Sequence, residues 1–274
     1  MSLLKEAKLL LRRHRFTPKR RLGQNFLVTT PIFQLMSDYA FLSKDDVALD
    51  IGAGLGFLTV FLAERCKSVL AVEFDAMLVK ILREQLKLHS NVRVIEGDIL
   101  KAHVPAFNKV LSVPPYNISS QLMLWLFNRK FECATLVLQK EFAQRLVAPI
   151  GSETYGWLTV ITYYNAEVEL LDAVPSWMFY PQPKVNSVVV RLKPRKPRPF
   201  TVIDEKMFLK FVHFLFSHRN RKVKNAFISF IRCARSVPTE KTFGFIDAFT
   251  FRDKRVRELA PEDFGELANA IAAH

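Results

Sequence analysis

The chain has 274 residues, half of them hydrophobic, and 40 Lys and Arg against 26 Asp and Glu leave a net charge of +14. That length and apolar content suit one large or two smaller globular domains and exclude a disordered chain. No uninterrupted apolar run reaches the roughly 18 residues a membrane span needs. The three cysteines, Cys66, Cys133 and Cys233, show no Cys/His spacing for zinc, so reduced thiols and no metal are expected.

In chain order, residues 1–21 hold eight basic side chains and one acid, Glu6. The early apolar residues turn at once into "LRRHRFTPKRR", without a signal peptide's apolar core or cleavage site, so a cytoplasmic protein is expected. From about residue 45, strand-like and helical runs alternate. "DVALDIG", "SVLAVEF", "NVRVIEGD", "KVLSV" and "CATLVLQ" read as strands. "GFLTVFLAERC", "DAMLVKILREQLKLH" and a segment near 118–128 read as helices. This alternation predicts a parallel sheet with helices on both faces. "AEVELLDAV" and "NSVVVRLK" predict an antiparallel pair closing the sheet, and the basic, Pro-rich 193–200 reads as a linker. After it come only helical runs: "EKMFLKFVHFLFSH", "RKVKNAFISFIRC" and "PEDFGELANAIAAH". Further basic clusters lie at 191–199, 218–224 and 252–257. Several separated clusters with this surplus favour a polyanion, nucleic acid ahead of an anionic membrane surface on which the N-terminal segment would lie.

The candidate chemistry collects at strand ends. Gly52, Gly54 and Gly56 follow "DVALDI", where bare backbone admits a ligand at a helix N-terminus. Phe57 stands where a dinucleotide fingerprint requires its third glycine, which argues against a nicotinamide oxidoreductase. Glu73, 21 residues past Gly52, is placed to accept ribose hydroxyls, and Asp98 to accept from an adenine amine. A nucleoside-type ligand fits this crevice, and S-adenosylmethionine fits with Asp50 near its charged amino-acid end. A fourth strand end, "VPPYNISS", is a stiff corner placing Tyr116 at the rim; the plainer reading is a turn capped by Asn117 or Ser119.

These motifs resemble those of the rRNA adenine dimethyltransferase family, which includes the bacterial kasugamycin-sensitivity methyltransferase, its archaeal and eukaryotic relatives, and the erythromycin-resistance methyltransferases. "RRLGQNFL" (20–27) is similar to the family's N-terminal cofactor motif, and "DIGAGLGFLT", Glu73 and "GDIL" to its cofactor loop and acids. "VPSWMFYPQPKVNSVVVRL" (174–192) is similar to its aromatic-and-proline motif, and "HRNRK" and "RVRELAPEDFGELANAI" to its helical C-terminal domain. The resemblance implies a Rossmann-like class I S-adenosylmethionine-dependent methyltransferase domain over 1–195, with a basic segment 1–25, and an all-helical RNA-contacting domain over 200–274. It implies cofactor contacts from Gln24, Asn25, Leu27, Asp50, Gly52, Gly54, Glu73, Phe74, Asp98, Ile99 and Val113. Val113, Pro114, Tyr116 and Phe179 would form the catalytic rim, with Phe179 facing Tyr116 across a flipped base. RNA contacts are expected at Arg20, Arg21, Lys184, Arg219, Arg221 and Lys222. The implied substrate is a pair of adjacent adenosines near the end of small-subunit rRNA, presented by an assembling subunit to a monomeric enzyme.

Two residues depart from the family pattern, Val113 in place of Asn and Pro114 in place of Leu. Asn-Leu-Pro-Tyr becomes Val113-Pro114-Pro115-Tyr116, and valine offers no acceptor to the adenine amine. The Pro114 carbonyl remains, unless Ser112 or water substitutes. Three outcomes stay open here: a slower dimethyltransferase, an enzyme adding one methyl, or a cofactor-binding assembly factor without catalysis.

Overall fold

In the computed structural model of the chain, which describes residues 2–234, 246 and 248–272, the β-branched runs of the first half form one sheet. The elements in order are α1 (Leu3–Arg13), β1 (Phe26–Leu27), α2 (Thr30–Ala40), β2 (Val47–Ile51), α3 (Phe57–Ala63), β3 (Ser68–Glu73), α4 (Ala76–Gln85) and β4 (Val92–Glu96). Then come β5 (Lys109–Ser112), α5 (Ser119–Phe127), β6 (Cys133–Gln139), α6 (Lys140–Leu146), α7 (Trp157–Asn165), β7 (Ala166–Val174), β8 (Phe179–Tyr180) and β9 (Ser187–Pro194). Helices α8 (Glu205–Ser217), α9 (Val223–Ala234) and α10 (Pro261–Ala272) complete the chain. The last two residues of the predicted C-terminal run, Ala273 and His274, lie outside the described residues.

By internal contacts the chain divides into Met1–Ala143 with Val168–Pro194, and Gln144–Glu167 with Arg195–His274. The first unit carries a seven-stranded sheet of order β4-β3-β2-β5-β6-β9-β7. The pairs among β2 to β6 are parallel, and β9 runs antiparallel to β6. Strands β2 and β6 are buried on both faces, which is why they read as continuous apolar runs. The order reverses between β2 and β5. That topological switch point opens a crevice beyond the strands' carboxyl ends.

Helix α1 lays Ala7, Leu10 and Leu11 into a cluster with Phe16, Phe26 and Leu78. That much of its apolar face is spent on the protein interior, with Leu4 and Leu9 left exposed, which argues against the membrane-surface reading of the N-terminal segment. The second unit is built from α7 to α10 around Phe208, Phe211, Leu215, Phe227 and Phe264, all buried. Residues 144–167 belong to this helical unit by their contacts, although they precede the Pro-rich segment where the sequence places the boundary. Among the described residues, no helix is long and apolar enough to cross a membrane, and no group of three His, Cys, Asp or Glu could hold a metal ion.

Candidate active site

The carboxyl ends of β2, β3 and β4 form the floor of a cavity of about 290 Å³ lined by Gly52, Gly54, Glu73, Phe74, Asp98 and Ile99, among others. Glu73 organises it. Its Oε2 accepts from the Gly54 N–H at 2.8 Å, and its Oε1 from the N–H groups of Phe74 and Asp75, each at 2.9 Å. Burial pushes the Glu73 carboxyl up, and those hydrogen bonds oppose the shift. Phe74 is 63% exposed and turns an open ring to the cavity, whereas Ile99 is buried. Asp98 lines the same cavity and accepts from the Leu100 N–H through Oδ1.

A second cavity, about 40 Å³, lies alongside and shares Asn25, Phe26, Gly52, Gly54 and Val113 with the first. Leu27 and Asp50 line it. Asp50 is 1% exposed and accepts from the Thr59 hydroxyl at 2.7 Å. Burial pushes its pKa up to about 7, the Thr59 bond opposes, and nearby Glu73 adds to the rise. A carboxyl held in this state is poised to ionise beside a ligand cation.

The N-terminal segment closes one wall. Residues 20–22 form a single 3-10 turn, and Gly23 at φ +66° sends the chain along the cavity. A Cβ at Gly23 would lie 3.3 Å from the Tyr116 nitrogen, so glycine permits the wall to sit on the corner. Gln24 lines the cavity, but its carboxamide is committed: Oε1 accepts from the Lys19 N–H at 2.7 Å and Nε2 donates to Asp75 at 3.1 Å. Lys19 Nζ reaches the same Asp75 oxygen at 2.7 Å. Burial pushes the Asp75 carboxyl up, yet Lys19 and Gln24 hold it below its ordinary range. Asn25 donates to the Gly23 carbonyl at 3.2 Å, and its Oδ1 has no partner among the described residues.

The rim comes from β5. Gly52 adopts φ +73°, and a Cβ there would meet Pro115 Cδ at 2.8 Å, so the corner seats directly on the glycine loop. Val113 lines both cavities. Ser112 is not a substitute acceptor: it is fully buried, donates to the Ile51 carbonyl at 2.6 Å and receives the Ile51 N–H at 3.2 Å. The Pro114 carbonyl accepts no hydrogen bond from the described residues. Tyr116 lies beside the cavity without lining it, and its hydroxyl shares a 2.6 Å bond with Ser187 Oγ. Burial raises its pKa to about 12, against that bond, so the phenol stays protonated. Phe179 is 3% exposed, packs in the core cluster with Leu27 and Phe33, and makes no ring contact with Tyr116.

The chain's likeness to known proteins agrees with this geometry. Residues 15–272 match the sequence profile described as ribosomal RNA adenine dimethylase. The chain is 40% identical to a probable ribosomal RNA small subunit methyltransferase A of Methanosarcina mazei, over 90% of this chain and 91% of that one. It is 38% identical to the protein of that name from Methanothermobacter thermautotrophicus, over 98% and 97%. The chain belongs to the ribosomal RNA adenine dimethylase family. Its fold is similar to a dimethyladenosine transferase from Plasmodium falciparum (TM-score 0.77, 26% identity, 88% of this chain and 95% of that one). It is also similar to the 23S rRNA methyltransferase ErmE (TM-score 0.64, 28% identity, 90% and 99%). The fold is thus a Rossmann-like methyltransferase with a helical C-terminal part.

S-adenosylmethionine, the cofactor of this adenine dimethylase family, fits the residues present. The glycine loop leaves bare backbone where Cβ atoms would intrude, Glu73 presents a fixed carboxylate, Phe74 an open ring and Asp98 an acceptor. Asp50 and Asn25, whose Oδ1 has no partner among the described residues, line the smaller cavity, where a charged amino-acid end would need them.

The expected RNA contacts divide by availability. Arg20, Arg21 and Lys184 in the first unit are exposed and make no ion pair with the described residues. Arg221 in the helical unit is equally open. Arg219 instead donates to the carbonyls of Glu153 at 2.7 Å and Ser152 at 2.8 Å, and Lys222 pairs with Asp253 at 3.1 Å. Sequence reasoning missed Lys19 and Asp75, which lie 56 residues apart, and it considered Asn117 only as a helix cap. Helix α5 has no side-chain cap, and Asn117 lines the cavity.

Proposed function

We propose that this chain transfers methyl groups from S-adenosylmethionine to the exocyclic amines of adjacent adenosines near the 3′ end of small-subunit rRNA. It acts as a cytoplasmic monomer on the assembling subunit. The observation that carries the reading is the seat of Pro115 on Gly52, which sets the β5 corner against the cofactor loop in a chain of the adenine dimethylase family. The cofactor supplies an electrophilic methyl group on a sulfonium. The chain's own residues must present a base to it and hold the amine in an attacking geometry.

A duplex-buried adenine cannot enter the crevice, so the target base is splayed out and stacked on an aromatic. Tyr116 and Phe179 are the proposed pair. Tyr116 contributes its ring and, with its hydroxyl protonated, no general base. Phe179 sits in the core, so a base reaches its ring only by displacing neighbours such as Leu27. The amine's lone pair is conjugated into the ring, and an acceptor on its N–H draws it toward a tetrahedral geometry. With Val113 apolar and Ser112 committed to Ile51, the Pro114 carbonyl takes that role. No strong base is required, because the amine proton becomes acidic only as the new bond forms. Arg20, Arg21, Lys184 and Arg221 are the proposed phosphate contacts and make binding salt-dependent.

Unmethylated small subunits incubated with methyl-labelled cofactor, followed by nucleoside mass analysis, test this reading. Dimethyladenosine is expected. Cofactor and subunit binding without label transfer would favour a binding factor and overturn it. The relatives are named as methyltransferases, which supports the enzyme over such a factor, and the family's description as an adenine dimethylase supports two methyls over one.

A further inference from the structure

Trp177 is 67% exposed, whereas Trp125 is 8% exposed and Trp157 is half-buried. Phe41 and Phe74 are about as exposed, and one open apolar ring is ordinary on a folded surface, so what sets Trp177 apart is the turn that carries it and the charges on the segments tied to that turn. This ring does not hang on a loose loop. It sits in a 3-10 turn, Ser176–Met178, whose backbone is fixed on both sides. The Ser176 N–H donates to Asn186 Oδ1 at 3.0 Å, Gln182 Nε2 donates to Ser176 Oγ at 2.9 Å, and the Val28 N–H donates to the Met178 carbonyl at 2.9 Å. A ring presented on a fixed turn loses little freedom when a partner covers it.

The turn is also wired to the rim. Asn186, which holds Ser176, is followed by Ser187, whose hydroxyl bonds the Tyr116 hydroxyl at 2.6 Å. The Asn186 carbonyl accepts from the Lys140 N–H at 3.0 Å, which brings the start of α6 to the same place. Lys140 and Lys184 are exposed and form no ion pair with the described residues, and residues 175–187 contain no acid. An exposed aromatic among unpaired cations is the pairing that binds single-stranded nucleic acid: bases stack on the ring while phosphates meet the charges. An apolar protein partner would not call for the lysines.

We infer that Trp177 stacks a nucleobase flanking the target adenosine, holding the strand across the rim while Tyr116 receives the flipped base. This rests on the RNA-methylating reading above. It makes Trp177 a substrate-positioning residue that acts on RNA binding and leaves chemistry at the cofactor unchanged.

The test uses the full chain and a small-subunit rRNA 3′-end fragment, with binding followed by anisotropy and tryptophan fluorescence. A set of fragments carries one abasic nucleotide at successive positions beside the target. Trp177→Ala should weaken fragment binding about tenfold, within the range for loss of one stacked base. Trp177→Phe should recover most of the affinity, and the cofactor Kd and single-turnover rate at saturating RNA should not move. One abasic position should weaken the wild type to the same degree and leave Trp177→Ala unaffected. Fluorescence quenching by the fragment should be lost in Trp177→Phe. Unchanged binding by Trp177→Ala, or penalties that add for every abasic position, would overturn the inference. So would a loss seen only with protein-containing subunits, which would assign Trp177 to a ribosomal protein. If the wild type binds the fragment with this pattern yet never methylates subunits, the methyltransferase reading fails while the stacking role stands.

Discussion

The floor and the rim of the cavity are built on opposite terms. On the floor, nearly every polar group is held: Glu73 accepts three backbone N–H groups, and Asp75 binds Lys19 and Gln24 while capping α4 through the Met77 N–H. At the rim, the Val113 side chain offers no acceptor and Ser112 is turned inward, while the carbonyls of Val113, which lines both cavities, and of Pro114, which is buried and lines neither, accept no hydrogen bond from the described residues. The contrast is between polar groups held in place by the fold at the floor and, on the proposed reading, a substrate aligned only by rim backbone carbonyls and aromatic faces.

Removing the organiser of the floor should have the largest effect. Glu73→Ala leaves the buried N–H groups of Gly54 and Asp75, at about 1–3 kcal/mol each, and the half-buried one of Phe74 without an acceptor. Cofactor affinity measured by calorimetry should fall by about 100-fold or more, with a lower urea midpoint.

Asp50 makes the floor pH-dependent. With its pKa raised to about 7 by burial, the ligand-free protein favours the protonated acid. That stabilisation is full below the ordinary carboxyl range and is lost as pH rises through about 7. A cofactor cation beside Asp50 favours the carboxylate instead. Cofactor affinity should therefore rise by up to about tenfold per pH unit from pH 5 toward 7 and then level off. Asp50→Asn should flatten the profile.

The strap that ties the N-terminal wall to Asp75 through Lys19 and Gln24 is the next way to sharpen the contrast. Asp75→Asn keeps the helix cap but weakens the Lys19 contact, and cofactor affinity should drop about tenfold, matching the one to two kcal/mol of a charge-assisted bond. An equal drop in RNA binding would show that the strap serves both ligands.

The smallest effect concerns the helical unit. Arg221→Ala should weaken RNA binding a few-fold and reduce the salt slope by about one. Arg219→Ala should instead lower thermal stability, because its guanidinium holds the carbonyls of Ser152 and Glu153.

The floor was legible in the sequence because its signals are local: glycines after a strand and acids at strand ends. The strap was not, since Lys19 and Asp75 meet across 56 residues and Asp75 reads as an ordinary cap, which it also is. Residue types at the rim were visible, but burial was not. Nothing in "FYPQP" tells that Phe179 packs with Leu27 and Phe33, or that the Ser112 hydroxyl faces Ile51. The cations of 218–224 look alike in sequence, and only the fold separates Arg219 and Lys222, which are engaged, from Arg221, which is open. Helix α7 escaped because 157–165, WLTVITYYN, scatters Thr159, Thr162 and Asn165 among apolar residues without the one-sided period that marks a surface helix.

The most direct test of the contrast is the single-turnover rate of methyl transfer to unmethylated small subunits by Val113→Asn, with cofactor affinity measured alongside. If substrate alignment at the rim limits an otherwise complete site, the rate should rise about tenfold or more at unchanged cofactor Kd, as expected for restoring one oriented transition-state partner. An unchanged rate would contradict the claim that alignment at the rim limits the reaction, because the backbone acceptor proposed there would then serve as well as an Asn side chain.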